Sequence, residues 1–216
     1  MTNHQLIQDF AAHVRARLEG EGSGHDWWHI ERVWRMGKRL AAAEGADTLV
    51  VELACLGHDL ADWKFSGDEK ASGRETRAFL QQHGVPEETL AAVAAIMDSI
   101  SYKGAGVPDK ETTLEAKVVQ DADRLDAIGA MGIARAFAYG GHAHRILHDP
   151  AEKPVLHASK EAYMSAKGTT VNHFYEKLLL LKDRMNTVTA KGIAAGRHAY
   201  MEGFLEEFFL EWEGER

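Results

Sequence analysis

With 216 residues, of which 45% are hydrophobic and 27% charged, the chain has an ordinary globular composition and enough length to bury a substantial core. A formal net charge of −8, from 33 acidic against 25 basic residues, excludes a surface built to track a nucleic-acid backbone. It leaves room for a small phosphorylated ligand met by a local cation, while the single cysteine, Cys55, excludes an intrachain disulfide and a thiolate metal cluster.

Four prolines, many helix formers and a recurring three-to-four spacing of apolar positions predict an all-α protein with no strand-type alternation. The first helix is expected over about residues 5–18, with Ile7, Phe10, Ala11, Val14 and Leu18 on one stripe. A second opens at His25, Asp26, Trp27, Trp28 and His29 and continues to Leu40. His25 and His29 are one turn apart and share a face, either being a candidate ligand, and Trp27, Trp28 and Trp34 are assigned to the core. Asp47 is a suitable N-cap for the third helix, an apolar run that reaches Asp62 and delivers His58, Asp59 and Asp62 together. Imidazole nitrogens and carboxylate oxygens are donors for divalent metals, so this stretch is expected to form half of a metal site.

Residues 63–70 are expected to form a loop, with Lys64 either reaching an anionic ligand or solvated. A fourth helix spans about 71–82, capped by His83 and Gly84, and a fifth runs from Pro86 to about Ile100. A glycine-containing loop then holds Lys103. Thr112 and Glu115 have capping-box spacing for a sixth helix, which carries Asp121, Asp123 and Asp126 among Val119, Ala122, Leu125 and Ala127. Carboxylates so framed are costly to bury without partners, so either this face is at the surface or a cation lies against it. Gly129 and Gly132 would allow close helix packing up to about Tyr139. From Gly140 to about Gly168 the periodicity is lost; His142, His144, His148 and His157 fall here, on a surface excursion rather than in a regular metal cluster. Periodicity returns from Val171 to Leu181, and Thr187 caps a long last helix ending near Trp212. The amino terminus has neither a basic leader nor an apolar signal core, and no eighteen consecutive residues are apolar. A cytoplasmic protein without a membrane partner is expected.

The ordered set His29, His58-Asp59 and Asp123, each on a separate predicted helix, resembles the HD-domain superfamily of metal-dependent phosphohydrolases across about residues 20–140. The tail from Asn172 to Met185 is similar to a branch of small single-domain bacterial members. The resemblance implies one domain over residues 1–216, with a core of about 20–140 and C-terminal helices 169–212 packed on it. It also implies His29, His58, Asp59 and Asp123 as metal ligands, Asp123 rather than Asp121 because the last ligand of the family precedes the Arg-Leu of this run. Asp121 and Asp126 become supporting carboxylates. Asp62 stands where relatives carry an acid, often Glu, that handles the water or the leaving group. Between Asp59 and Asp123 the only histidine is His83, which favours one metal ion over two. Manganese is the expected metal, with Mg2+, Co2+, Ni2+ and Zn2+ as alternatives.

The activity implied is hydrolysis of a nucleoside triphosphate to monophosphate and pyrophosphate. Asp62 would serve as base, and Lys64, Lys103, Arg124, His173 and Lys177 as contacts to the phosphates. Rival activities are a 5'-nucleotidase or phosphodiesterase at the same site, or a nucleotide-sensing module without turnover.

Overall fold

The computed structural model describes residues 1–19, 26–60, 71–99, 112–156 and 168–216, and these are helices and turns without strands. They fall into two compact units, the first ending at Asp123 and the second running from Arg124 to Arg216. No helix among the described residues is long and apolar enough to cross a membrane.

In the first unit, α1 (Asn3–Leu18) starts at Thr2, whose side chain accepts from the Gln5 amide, and buries Leu6, Ile7, Phe10, Ala11, Val14 and Leu18. The helix α2 (Trp27–Glu44) is capped by the Asp26 carboxylate and ends at Gly45, whose left-handed φ of 76° suits a residue without a side chain. At the centre lies α3 (Thr48–Gly57), capped by Asp47, with every residue from Val50 to Gly57 buried. A helix buried along its length needs neighbours on all sides, and α3 packs against α1, α2, α4 (Ala71–Gln82) and α5 (Glu87–Ser99). The helix α6 (Leu114–Asp126) contributes its residues up to Asp123 to this unit.

Three local expectations are corrected here. The third helix stops at Gly57 rather than near Asp62, because the His58 ring and the Leu60 amide bond to carbonyls of its last turn. The cap of α6 is Thr113 rather than Thr112: its hydroxyl accepts from the Ala116 amide at 3.2 Å. Glu115 instead accepts the Asp47 amide at 3.1 Å, tying the starts of α3 and α6, and the bonds it accepts hold its carboxyl below the usual range. Trp28 is not core; it is exposed beneath the Arg15 guanidinium, while the Trp34 indole N–H donates to buried Glu52 at 2.6 Å.

In the second unit, α7 (Gly129–His142) is separate from α6, the chain breaking at Ala127 and Ile128. Gly129 takes a φ of 77°, and a Cβ there would meet Arg197 Cγ at 2.9 Å. The Arg197 guanidinium also donates to the Leu125 carbonyl. The stretch where periodicity returns holds α8 (Thr170–Glu176) and a 3₁₀ helix (Leu178–Arg184), divided at Lys177, whose backbone leaves helical geometry. As expected, Thr187 caps the last helix, α9 (Val188–Trp212). The rings of Phe137, Phe174 and Phe204 meet at centroid separations of 5.9 Å and join α7, α8 and α9.

Candidate metal centre

Three segments of the first unit bring four side chains together. His29 sits in the first turn of α2, where the cap residue Asp26 accepts its amide at 2.9 Å and fixes its backbone. His58 and Asp59 occupy the turn that ends α3, closed by the Leu60 amide donating to the Gly57 carbonyl at 3.3 Å. Asp123 lies on α6.

The Nε2 atoms of His29 and His58 are 3.3 Å apart. Asp59 Oδ2 is 3.6 Å from the first and 3.7 Å from the second, and Asp123 Oδ1 is 3.6 and 3.9 Å from the same two. Donors about 2.1 Å from a shared ion are separated by about 3.0–3.4 Å when they are neighbours around it. The separations among His29, His58 and Asp59 need only slight contraction to fit one cation, and Asp123 lies beside both imidazoles.

The tautomer of His58 follows from its other nitrogen. Nδ1 lies 2.8 Å from the Cys55 carbonyl, which can only accept, so Nδ1 donates there and Nε2 is the atom turned to the cluster. Nε2 faces a second imidazole and two carboxylates, the donor types that divalent ions take. Both rings are buried, at 0% and 3% side-chain exposure, whereas Asp59 and Asp123 keep 27% and 35%. The imidazoles thus form a closed floor and the carboxylates an accessible side. Cys55, behind this floor, is wholly buried, and burial followed by the nearby charges of Asp123 and Glu52 pushes its thiol far above its ordinary value. It is inert packing rather than a ligand.

His29, His58 and Asp59 have donor atoms within 4.8 Å of one another and are positioned to bind a metal ion. Among the described residues no other such grouping of His, Cys, Asp or Glu occurs, so the His-rich segment forms no second centre there. His142 and His144 are exposed, and His148 packs edge-on against Phe208, Phe209 and Trp212. Of the acids near Asp123, Asp121 is fully buried and Asp126 is paired with Arg135 at 2.7 Å. His25, Asp62, Lys64, Lys103 and His157 lie outside the described residues.

The remaining predicted contacts belong to the second unit. Arg124 is buried and donates to the Arg184 carbonyl, which gives it an anchoring task. His173 is partly buried on α8; burial, then the charges of Lys177 and Arg145, push its imidazole down to about 3, so it is neutral near pH 7. What the sequence did not signal is the backbone of the site: the Cys55 carbonyl that orients His58 and the tight turn at Gly57. Carbonyl direction leaves no mark on residue type.

Residues 27–128 match the sequence model of the family described as HD domain. Uncharacterized protein YpgQ of Bacillus subtilis (strain 168) is 40% identical over 196 residues, 90% of this chain and 87% of YpgQ. Its crystal structure in complex with ADP superposes with a TM-score of 0.77 at 34% identity, covering 96% of this chain and 95% of that one. A Lactobacillus plantarum crystal structure matches with a TM-score of 0.87 at 38% identity, over 99% of this chain and all 100% of the other. An HD-superfamily hydrolase from Bacillus thuringiensis matches at 0.78 and 41%, over 98% and 99%. Sequence and structure agree on the HD-domain superfamily, to which this chain belongs, beside proteins described as its hydrolases.

Proposed function

We propose that the chain is a metal-dependent phosphohydrolase of nucleotides, cleaving a nucleoside triphosphate to monophosphate and pyrophosphate with one ion held by His29, His58, Asp59 and Asp123. The observation that carries this proposal is the approach of both imidazole Nε2 atoms to both carboxylates, every separation being 3.9 Å or less. The ADP complex of YpgQ supports a nucleotide as the ligand class. Manganese is the proposed metal, with Mg2+, Co2+, Ni2+ and Zn2+ as competitors.

A divalent ion at this position would supply positive charge to a phosphoryl oxygen and acidify water. The residues of the chain set the conditions for that chemistry. The bond from His58 Nδ1 to the Cys55 carbonyl holds the ring with Nε2 forward, and burial fixes His29 beside it. Asp59 and Asp123, on the accessible side, leave a phosphate chain a route in. Asp62 is proposed as the base that takes the proton of the attacking water, the P–O bond to the departing pyrophosphate breaking as the new P–O bond forms. Lys64, Lys103 and Lys177 are proposed to offset charge on the phosphates, with neutral His173 contributing a hydrogen bond rather than charge.

The test is a product screen of the purified protein with each of the five metals, using nucleoside triphosphates, monophosphates and cyclic nucleotides, beside His58→Ala and Asp59→Ala. Pyrophosphate release by the wild type that both substitutions abolish is the expected result. Equal activity in all three proteins would overturn the assignment. Phosphate from monophosphates alone would make the protein a 5'-nucleotidase, cleavage of cyclic nucleotides a phosphodiesterase, and binding without turnover a sensing module.

A further inference from the structure

The turn carrying His58 and Asp59 is clamped from outside by a helix that supplies no ligand. A Cβ on Gly57 would lie 2.3 Å from Thr76 Oγ1 and 2.9 Å from Thr76 Cγ2, so α4 touches the backbone of α3 at the residue before the ligand pair. This approach is open only to glycine. Thr76 is wholly buried, and its hydroxyl donates to the Gly57 carbonyl at 3.5 Å. The same carbonyl accepts the Leu60 amide at 3.3 Å, the bond that closes the turn around His58 and Asp59. One oxygen is therefore shared between the bond that shapes the turn and a bond from a neighbouring helix, and Leu60, 3% exposed, holds the far end in the core.

We infer that Thr76 is a positioning residue for the metal centre: through Gly57 it sets the direction in which the turn presents His58 and Asp59. The inference rests on the metal site proposed above. A hydroxyl bonded to a buried backbone carbonyl resists rotation of the peptide that follows it, here the peptide joining Gly57 to His58. Without it, the Cys55 carbonyl and the Leu60 amide still anchor the turn, but its outer face rests on an apolar contact with no preferred direction. Supporting groups that orient ligands are worth roughly 10- to 100-fold in metal affinity. Because Thr76 acts at one remove, the lower end is expected.

The experiment titrates Mn2+ into metal-free wild-type protein and into the Thr76→Val and Thr76→Ser variants by calorimetry, with circular dichroism to verify folding. Valine keeps the shape and removes the hydroxyl; serine keeps the hydroxyl. The expected result is a Kd raised about tenfold in the valine protein and within about twofold of wild type in the serine protein. A folded valine protein that binds as wild type does would overturn the inference, as would serine and valine proteins weakened equally. Should the valine protein fail to fold, Gly57→Ala serves instead: about tenfold weaker binding supports the clamp, and unchanged binding overturns it. Failure of the wild type itself to bind Mn2+ or any competing metal would sink the site as well as the clamp. Intact wild-type binding with unchanged variants sinks the clamp alone.

Discussion

Replacing Gly37 by alanine tests how closely α2 and α3 must approach for the two histidines to meet. Gly37 faces α3, and an added Cβ would lie 2.5 Å from Cys55 Sγ, against an ordinary heavy-atom contact of about 3.5–4.0 Å. The helices would have to separate by about 1 Å at that level, and overpacking of this kind costs about 1–3 kcal/mol. The same substitution gains about 0.5–1 kcal/mol because alanine favours the helix over glycine. The net effect in the natural background is therefore a loss of about 0–2 kcal/mol, or up to roughly 8 °C in Tm for a chain of this length. In a Cys55→Ala background the obstructing sulfur is gone and Val51 Cγ1, 3.3 Å away, is the nearest remaining contact. There the substitution should stabilise by about 0.5 kcal/mol or more. Urea titrations of the four metal-free proteins give the coupling energy, expected at about 1–3 kcal/mol. His29 lies two turns before Gly37 and His58 just after Cys55, so the Gly37→Ala protein should also bind metal more weakly, with recovery in the double variant. Equal effects of Gly37→Ala in both backgrounds would show that no close seam exists there.

His173 gives a pH prediction. Its folded-state value of about 3 lies below that of the unfolded chain, so on acidification the unfolded state takes up the proton first. Stability should fall from about pH 6.5 towards pH 3, at less than the limit of about 1.4 kcal/mol per pH unit because the ring is partly exposed. A His173→Gln protein, compared by urea unfolding at pH 7 and 4, should show a flatter acid limb; an identical limb would contradict the assignment. Removing Arg135 as Arg135→Met deletes one charged bond to buried Asp126, 2.7 Å long, and should cost about 1.5–3 kcal/mol in urea titrations. An unchanged midpoint would contradict a stabilising role for that pair. The Cys55 thiol, wholly buried and shifted upward, should react with a thiol reagent at pH 8 only as fast as the protein opens. Rapid labelling of folded protein would contradict its burial.

Periodicity and end signals carried much of the architecture. The stripe from Ile7 to Leu18, the caps Asp47 and Thr187, and the limits of the helix over 71–82 stand where the residue pattern put them, because each depends on local spacing. Details decided by tertiary competition were not legible. Glu115 spends its carboxylate on the Asp47 amide, so the capping box spaced from Thr112 does not form. The break between α6 and α7 depends on a left-handed glycine packed against Arg197, far along the chain. At the centre, the family resemblance pointed to His29, His58 and Asp59, which the fold brings together, but the direction in which the turn presents the last two depends on where the Cys55 and Gly57 carbonyls point.

The most direct test is calorimetric titration of metal-free protein with Mn2+, comparing wild type with His29→Ala, His58→Ala, Asp59→Ala and Asp123→Asn. Convergence of four donors on one ion predicts one equivalent bound by wild type and at least roughly tenfold weaker binding in every variant, the aspartate on α6 included. Wild-type affinity in the Asp123→Asn protein would remove that side chain from the site. Wild-type affinity in all four would show that the three segments do not build a metal centre.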